Sequence, residues 1–167
     1  MSIYFNADEI FQMAEQMERN GSAFYRRAAS FAARSVTAQF FLKLAAMEDE
    51  HEKIFALMRA DLSERERAVP LSDPEDQASL YLQAWADGHV FDVRTNPAER
   101  LKGKEKAEDI MQMAIGLEKD SIVFYLGMKD AIPQGLGRSK VDGIIKEEMR
   151  HIATLSRELE TLRHQPI

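Results

Sequence analysis

Two short elements in this chain pair a glutamate with a histidine three residues later: Glu48-Asp49-Glu50-His51 and Glu148-Met149-Arg150-His151. On an α-helix, positions three apart share a face one turn from each other, so each carboxylate and imidazole can converge on one point. That is the geometry of a metal ligand pair. Thirty residues before each element stands another glutamate, Glu18 before Glu48 and Glu118 before Glu148, and the offset between the two sets is one hundred throughout. Glu plus Glu-x-x-His, supplied twice, gives four carboxylates and two imidazoles, the ligand set of a di-iron or di-manganese carboxylate site in a four-helix bundle.

Glutamate oxygen and imidazole nitrogen suit Fe(II), Mn(II) or Zn(II), and an oxygen-rich set with few imidazoles favours the redox metals over structural zinc. In a two-fold arrangement one metal takes Glu18 and His51 and the other takes Glu118 and His151, while Glu48 and Glu148 bridge. Metals bridged in this way lie about 3.5 to 4 Å apart. Four glutamates balance two divalent ions, which makes burial of the loaded site tolerable; without metal the carboxylates repel and their pKa values rise. Tyr25 and Tyr125 follow Glu18 and Glu118 by seven residues, on the same face two turns away. Each phenol can donate a hydrogen bond to a ligand carboxylate or lie along an oxidant's path. Both can equally be core aromatics whose hydroxyls are satisfied elsewhere. Glu15, one turn before Glu18, is a further candidate for the shell, whereas Glu50, Glu52 and Glu147 read as solvated faces.

Four helices must position these groups. The first, about 7–31, starts at Asn6, with Glu9 placed to complete a capping box, and buries Ile10, Ala14, Met17, Gly21, Phe24 and Ala28. Gly21 inside a helix costs about 1 kcal/mol relative to alanine, which hints at a close approach there. The second, about 36–65 with Ser35 as its cap, has the inward stripe Phe41, Leu44, Glu48, His51, Phe55 and Met58. A long connection follows. It carries a short helix with Asp73 as cap, Pro74 at its first position, Leu80, Ala84 and Trp85 on its apolar face and Gly88 as its stop, then a second small cap at Asn96-Pro97. Such a length lets the chain cross the bundle so that the third helix, about 105–129, runs parallel to the second. Between residues 7–25 and 107–125 eight of nineteen positions are identical, among them Ile10 and Ile110, Ala14 and Ala114, Phe24 and Phe124, which indicates an internal duplication. The fourth helix, about 139–163, turns Ile144, Glu148, His151, Leu155, Leu159 and Leu162 inward. The run Gly135 to Lys140 lacks the spacing of a phosphate loop and reads as an interhelix turn. His89 and His164 fall outside the repeat and read as surface residues.

A chain of 167 residues with 45% hydrophobic content suits one domain with a full core. The formal charge of -6 argues against a general affinity for nucleic acid or an anionic membrane. No cysteine occurs, which excludes disulfides, thiol catalysis and a Cys-ligated iron site from these residues. No apolar run approaches a membrane span and no basic-then-apolar leader opens the sequence, so a soluble, cytoplasmic protein is expected.

The joint pattern Glu18-x6-Tyr25 with Glu48-x-x-His51, repeated as Glu118-x6-Tyr125 with Glu148-x-x-His151, resembles the rubrerythrin branch of the ferritin-like superfamily over both helical hairpins. The resemblance implies an all-α, ferritin-like four-helix bundle over residues 1–167, dimeric or larger. It implies two iron ions, with manganese or zinc as possible occupants, that react with hydrogen peroxide or dioxygen and are re-reduced by an electron donor. Two departures stand out. Rubrerythrins carry a four-cysteine rubredoxin domain, so electrons would here come from an external, rubredoxin-like donor. They also carry a glutamate one turn after the third-helix ligand, where this chain has Ser121, and its loss makes the site more symmetric, as in bacterioferritin-type ferroxidase centres. A peroxide- or dioxygen-reducing enzyme is the first reading, an iron-oxidising storage or handling protein the second, and a manganese catalase-like activity the third.

Overall fold

The computed structural model describes residues 5–68, 80–82, 84 and 95–164. Asn6 opens the first helix, α1 (Ala7–Phe31): its side chain accepts from the Glu9 amide while the Glu9 carboxylate accepts from the Asn6 amide, both at 2.9 Å. The expected capping box is thus present, and it satisfies donors that the helix itself leaves orphaned. α2 (Ser35–Ala60) begins one residue earlier than expected. Arg34, in extended conformation and without a side-chain cap bond, holds the cap position, and Ser35 is already helical. Three residues, Ala32 to Arg34, suffice to reverse the chain.

α2 also ends earlier, at Ala60. Leu62 turns into the core just beyond it, and Ser63 exchanges hydrogen bonds with Glu66 to start a separate short helix, α3 (Glu64–Ala68). Arg67 on α3 reaches back to the Arg59 carbonyl at 2.6 Å and to Asp8. The local Ser63/Glu66 exchange and the long-range Arg67–Asp8 contact together end α2 before residue 65.

In the connection, Asn96 accepts from the Ala98 amide at 2.9 Å and caps a 3-10 turn over Pro97–Arg100, as its Asn-Pro signal suggests. Of the earlier helix, Asp73, Pro74, Trp85, Gly88 and the nearby His89 lie outside the described residues. Residues 80–82 are helical, but Leu80 is 63% exposed and Leu82 is the buried one. The apolar face is therefore turned from the one expected: Tyr81 lies against Gly127, so close that a Cβ there would meet its ring at 2.3 Å.

α4 (Ala107–Ala131) and α5 (Arg138–Arg163) form the second hairpin, closed by a 3-10 turn over Gln134–Leu136. Gly137 (φ +88°) holds the left-handed conformation that lets the chain enter α5 directly, a conformation glycine reaches without steric cost. Relative direction follows from two hydrogen bonds. Tyr25 of α1 donates to Glu118 of α4, and Tyr125 of α4 donates to Glu18 of α1. Each tyrosine lies two turns beyond its own glutamate, so a mutual exchange requires α1 and α4 to run antiparallel. With hairpins on either side, α2 and α4 are then parallel, and the long connection makes the crossover.

Apolar residues gather at the two ends of this bundle. One cluster joins Ile10, Phe11, Phe55, Phe124, Met128 and Ile144; the other joins Phe24, Phe41, Leu44, Ile110, Met111 and Leu155. Burying each large side chain stabilises the fold by about 1.5–3 kcal/mol before entropy is counted. Between the two clusters lies a layer of buried charge.

Candidate metal centre

Six side chains form that layer: Glu18, Glu48, His51, Glu118, Glu148 and His151, none more than 4% exposed. α1 and α4 supply one glutamate each, and α2 and α5 supply one Glu-x-x-His element each. Their donor atoms fall into two overlapping groups. Glu18, Glu48, His51 and Glu148 place one atom each within 4.8 Å of one another, and so do Glu48, Glu118, Glu148 and His151. Glu48 and Glu148 belong to both. The geometry therefore brings together all six residues that the duplicated spacing singles out, with the same two carboxylates common to both groups.

Both imidazoles point Nδ1 inward. His51 Nδ1 lies 3.1 Å from Glu148 Oε1 and 3.6 Å from Glu18 Oε2; His151 Nδ1 lies 2.9 Å from Glu148 Oε2, 3.3 Å from Glu48 Oε1 and 3.4 Å from Glu118 Oε1. The rings stack at 5.8 Å between centroids. Despite this proximity, Glu48 Oε1, both Glu148 oxygens and both Nδ1 atoms are buried without a properly directed hydrogen-bond partner among the described residues. Leaving such groups unsatisfied costs about 1–3 kcal/mol each. Carboxylate oxygens and imidazole nitrogens that converge on shared points without directed partners are what a pair of divalent cations would satisfy, and the O/N donor set fits iron, manganese or zinc.

The mutual repulsion expected of the carboxylates does not act evenly. Burial, and then the charges of Glu148, Glu118 and Glu18, raise Glu48 well above the usual carboxylate range. Burial and Glu148 push Glu118 up to about 8. Burial raises Glu148 too, but the His151 and His51 imidazoles flanking it prevail and bring it down to about 2. Burial lowers both imidazoles, and the surrounding carboxylates more than reverse this, so that His51 and His151 are each pushed up to about 12. Without metal, protonated imidazoles thus supply the positive charge in the layer.

The tyrosines lie against two of these glutamates. Tyr25 and Tyr125 are fully buried, and each donates to the terminal glutamate of the opposite hairpin rather than to the one on its own helix. Both phenols rise well above their ordinary pKa through burial and the neighbouring carboxylates, so they stay protonated donors. Gly21 has its reason here: a Cβ at that position would stand 3.0 Å from Glu48 Oε2, so the missing side chain makes room for the Glu48 carboxylate.

Outside the six, Glu147 differs from its expected place on a solvated face. Its Oε2 sits 2.8 Å from His51 Nε2, across from α5 to α2. Glu15, the candidate extra ligand, turns away instead and pairs with Arg59 at 3.5 Å and Arg19 at 3.6 Å. Asp49, beside Glu48 in sequence, accepts from Ser22 at 2.7 Å and Arg26 at 2.6 Å, which hold its carboxyl below the usual range. His164 is exposed, its Nδ1 2.8 Å from the Glu160 carbonyl oxygen. No helix among the described residues is long and apolar enough to cross a membrane.

No protein-family model matches the chain, and no curated protein matches it. A crystal structure from Thermotoga maritima, of a "putative ferritin-like diiron-carboxylate protein", superposes with a TM-score of 0.73 over 94% of this chain and 96% of that one, at 24% sequence identity. Four helices, one crossover and this superposition together give the chain the ferritin-like fold.

Proposed function

We propose that this chain is a di-iron redox protein of rubrerythrin type, reducing hydrogen peroxide or dioxygen with electrons from an external donor. One observation carries the reading: two four-residue donor groups that share Glu48 and Glu148 at the buried centre of the bundle. Two iron ions held there would supply two electrons, enough to take hydrogen peroxide and two protons to two waters. Glu18 and His51 would hold one ion and Glu118 and His151 the other, with Glu48 and Glu148 between them. Tyr25 and Tyr125 keep Glu118 and Glu18 oriented by donating their O–H groups to them. The two apolar clusters exclude bulk water on either side.

With no cysteine in the sequence, the returning electrons come from a separate protein such as a rubredoxin-like donor. A homodimer or larger assembly, in the cytoplasm, completes the proposal, and Val123, Leu126 and Met149 on the outer face of α4 and α5 are exposed apolar residues that such an assembly can cover. A second reading, a ferroxidase that oxidises Fe(II) for storage or delivery, is favoured by the near-identical donors of the two positions, with half-buried Ser121 outside both groups. Stopped-flow mixing distinguishes the two. Peroxide should oxidise the reduced, iron-loaded protein much faster than dioxygen does. Comparable or slower oxidation by peroxide, with continued uptake of excess Fe(II), would establish the second reading instead.

A further inference from the structure

The two halves match at every proposed ligand but not behind the imidazoles. His51 turns its Nε2 to Glu147 at 2.8 Å, and Glu147 is in turn paired at 3.3 Å with Arg150 on its own helix. His151 also has its Nε2 buried, but among the described residues nothing accepts from it. The repeat gives the position that corresponds to Glu147. One hundred positions before Glu147 the chain has Met47, half-buried on α2, whose thioether is at best a weak acceptor.

A metal-bound imidazole that donates its second N–H to a carboxylate is fixed in tautomer and orientation and is the more basic ligand. Among the described residues, His51 has that support and His151 does not. We propose that Glu147 is a positioning residue that makes the two metal positions unequal: the Glu18/His51 position binds a divalent transition ion tightly and fills first, and the Glu118/His151 position binds weakly and exchanges. This rests on the dinuclear reading above, but it assigns to Glu147 and Met47 a role that the ligand set alone does not contain. Loss of such a carboxylate behind a ligating histidine typically weakens metal binding by about 10- to 100-fold. An inequality of that size separates the two binding steps in a titration.

The test is calorimetric and spectroscopic titration of the full chain, freed of metal by chelator, with Co(II). The expected result is two steps, the tighter lost in His51→Gln and the weaker lost in His151→Gln. Glu147→Met should weaken the tighter step by about 10- to 100-fold and leave the other in place. Met47→Glu, which builds the missing acceptor, should tighten the weaker step. Melting curves of the Glu147 and Met47 variants, recorded without metal, show whether each folds, and the two variants act on opposite steps. Two equal steps in the parent protein, or a Glu147→Met variant that weakens both alike, would overturn the inference while leaving a dinuclear site intact. Failure to bind two Co(II) ions at all would remove the dinuclear reading, and the inference with it.

Discussion

The two hairpins supply the same ligands from surfaces that have little else in common. On the outer side of α1 and α2, Arg19 pairs with Glu52 at 2.7 Å, Arg26 with Asp49 at 2.6 Å, and Arg59 with Asp8 at 2.9 Å. The matching outer positions of the second hairpin read Lys119 and Ile152, Leu126 and Met149, while the counterpart of Arg59 is Leu159, which is buried in the core. There, among the described residues, Lys129 with Asp142 at 3.0 Å is the ion pair that joins the two helices. Inward positions kept their chemistry through the duplication, because a buried carboxylate tolerates neither a missing partner nor a displaced one. Outward positions drifted, since a solvated ion pair is worth at most about 1 kcal/mol and an apolar replacement can serve another surface.

Removing metal should break both hairpins' common centre and produce the largest change. A ligand present at about a thousand times its dissociation constant stabilises a fold by about 4 kcal/mol. For a chain of this size that corresponds to a melting temperature roughly 8–16 °C lower in chelator; a curve that does not move would argue against a core site. Next in size is the loss of a carboxylate common to both groups. Glu148→Ala should reduce bound metal from two ions to fewer than one by elemental analysis, whereas Glu15→Ala, paired only with arginines, should leave the stoichiometry at two.

The pH dependence sharpens the same comparison. His51 and His151, pushed up to about 12, stabilise the metal-free fold fully below their unfolded value near 6.5, and that contribution drains away as pH rises toward 12. Glu118, pushed up to about 8, acts in the same sense: its protonated form is favoured, so stability falls as pH climbs from 4.5 through 8. Glu148, brought down to about 2, acts in the opposite sense: its contribution is present above its unfolded value of 4.5 and is lost as pH falls from there toward 2. The metal-free protein should therefore lose stability between pH 5 and 8 while its affinity for metal rises, as protons leave the ligands. Melting curves and Co(II) titrations across that range check both slopes. If the two slopes have the same sign, the protonation pattern described for the empty layer is wrong.

Smaller effects separate the halves more finely. Gly21→Ala puts a methyl 3.0 Å from Glu48 Oε2 and should weaken metal binding measurably, while Ser121→Ala, at the matching position, should not. Arg26→Leu gives the first hairpin the residue of the second and should cost less than about 1 kcal/mol in denaturant unfolding.

Much of this arrangement is legible in one dimension. Apolar spacing locates the four long helices, because each must bury one stripe, and Glu18, Glu48 and His51 stand out by lying on a stripe that is otherwise apolar. The ferritin-like topology follows from the length of the connection. What stays hidden is register between helices. Glu147 lies between Lys146 and Glu148 and looks solvated from its neighbours alone; only the docking of α5 against α2 brings it to His51. Tyr25 sits two turns from Glu18, yet its hydroxyl serves Glu118, because antiparallel helices interleave what a single helix keeps apart. The early end of α2 is likewise decided by Leu62 and Arg67 reaching back to the bundle.

Those crossed phenol contacts bear on how the molecule comes into being. They join residues 93 and 107 positions apart, and neither hairpin by itself presents a finished cage. Contacts so distant along the chain form late, once the entropy of closing a long loop has been met. If the six residues hold two metal ions as proposed, a nascent polypeptide would offer no dinuclear trap until α5 has docked, and metal acquisition would be timed by the completion of folding rather than by encounter.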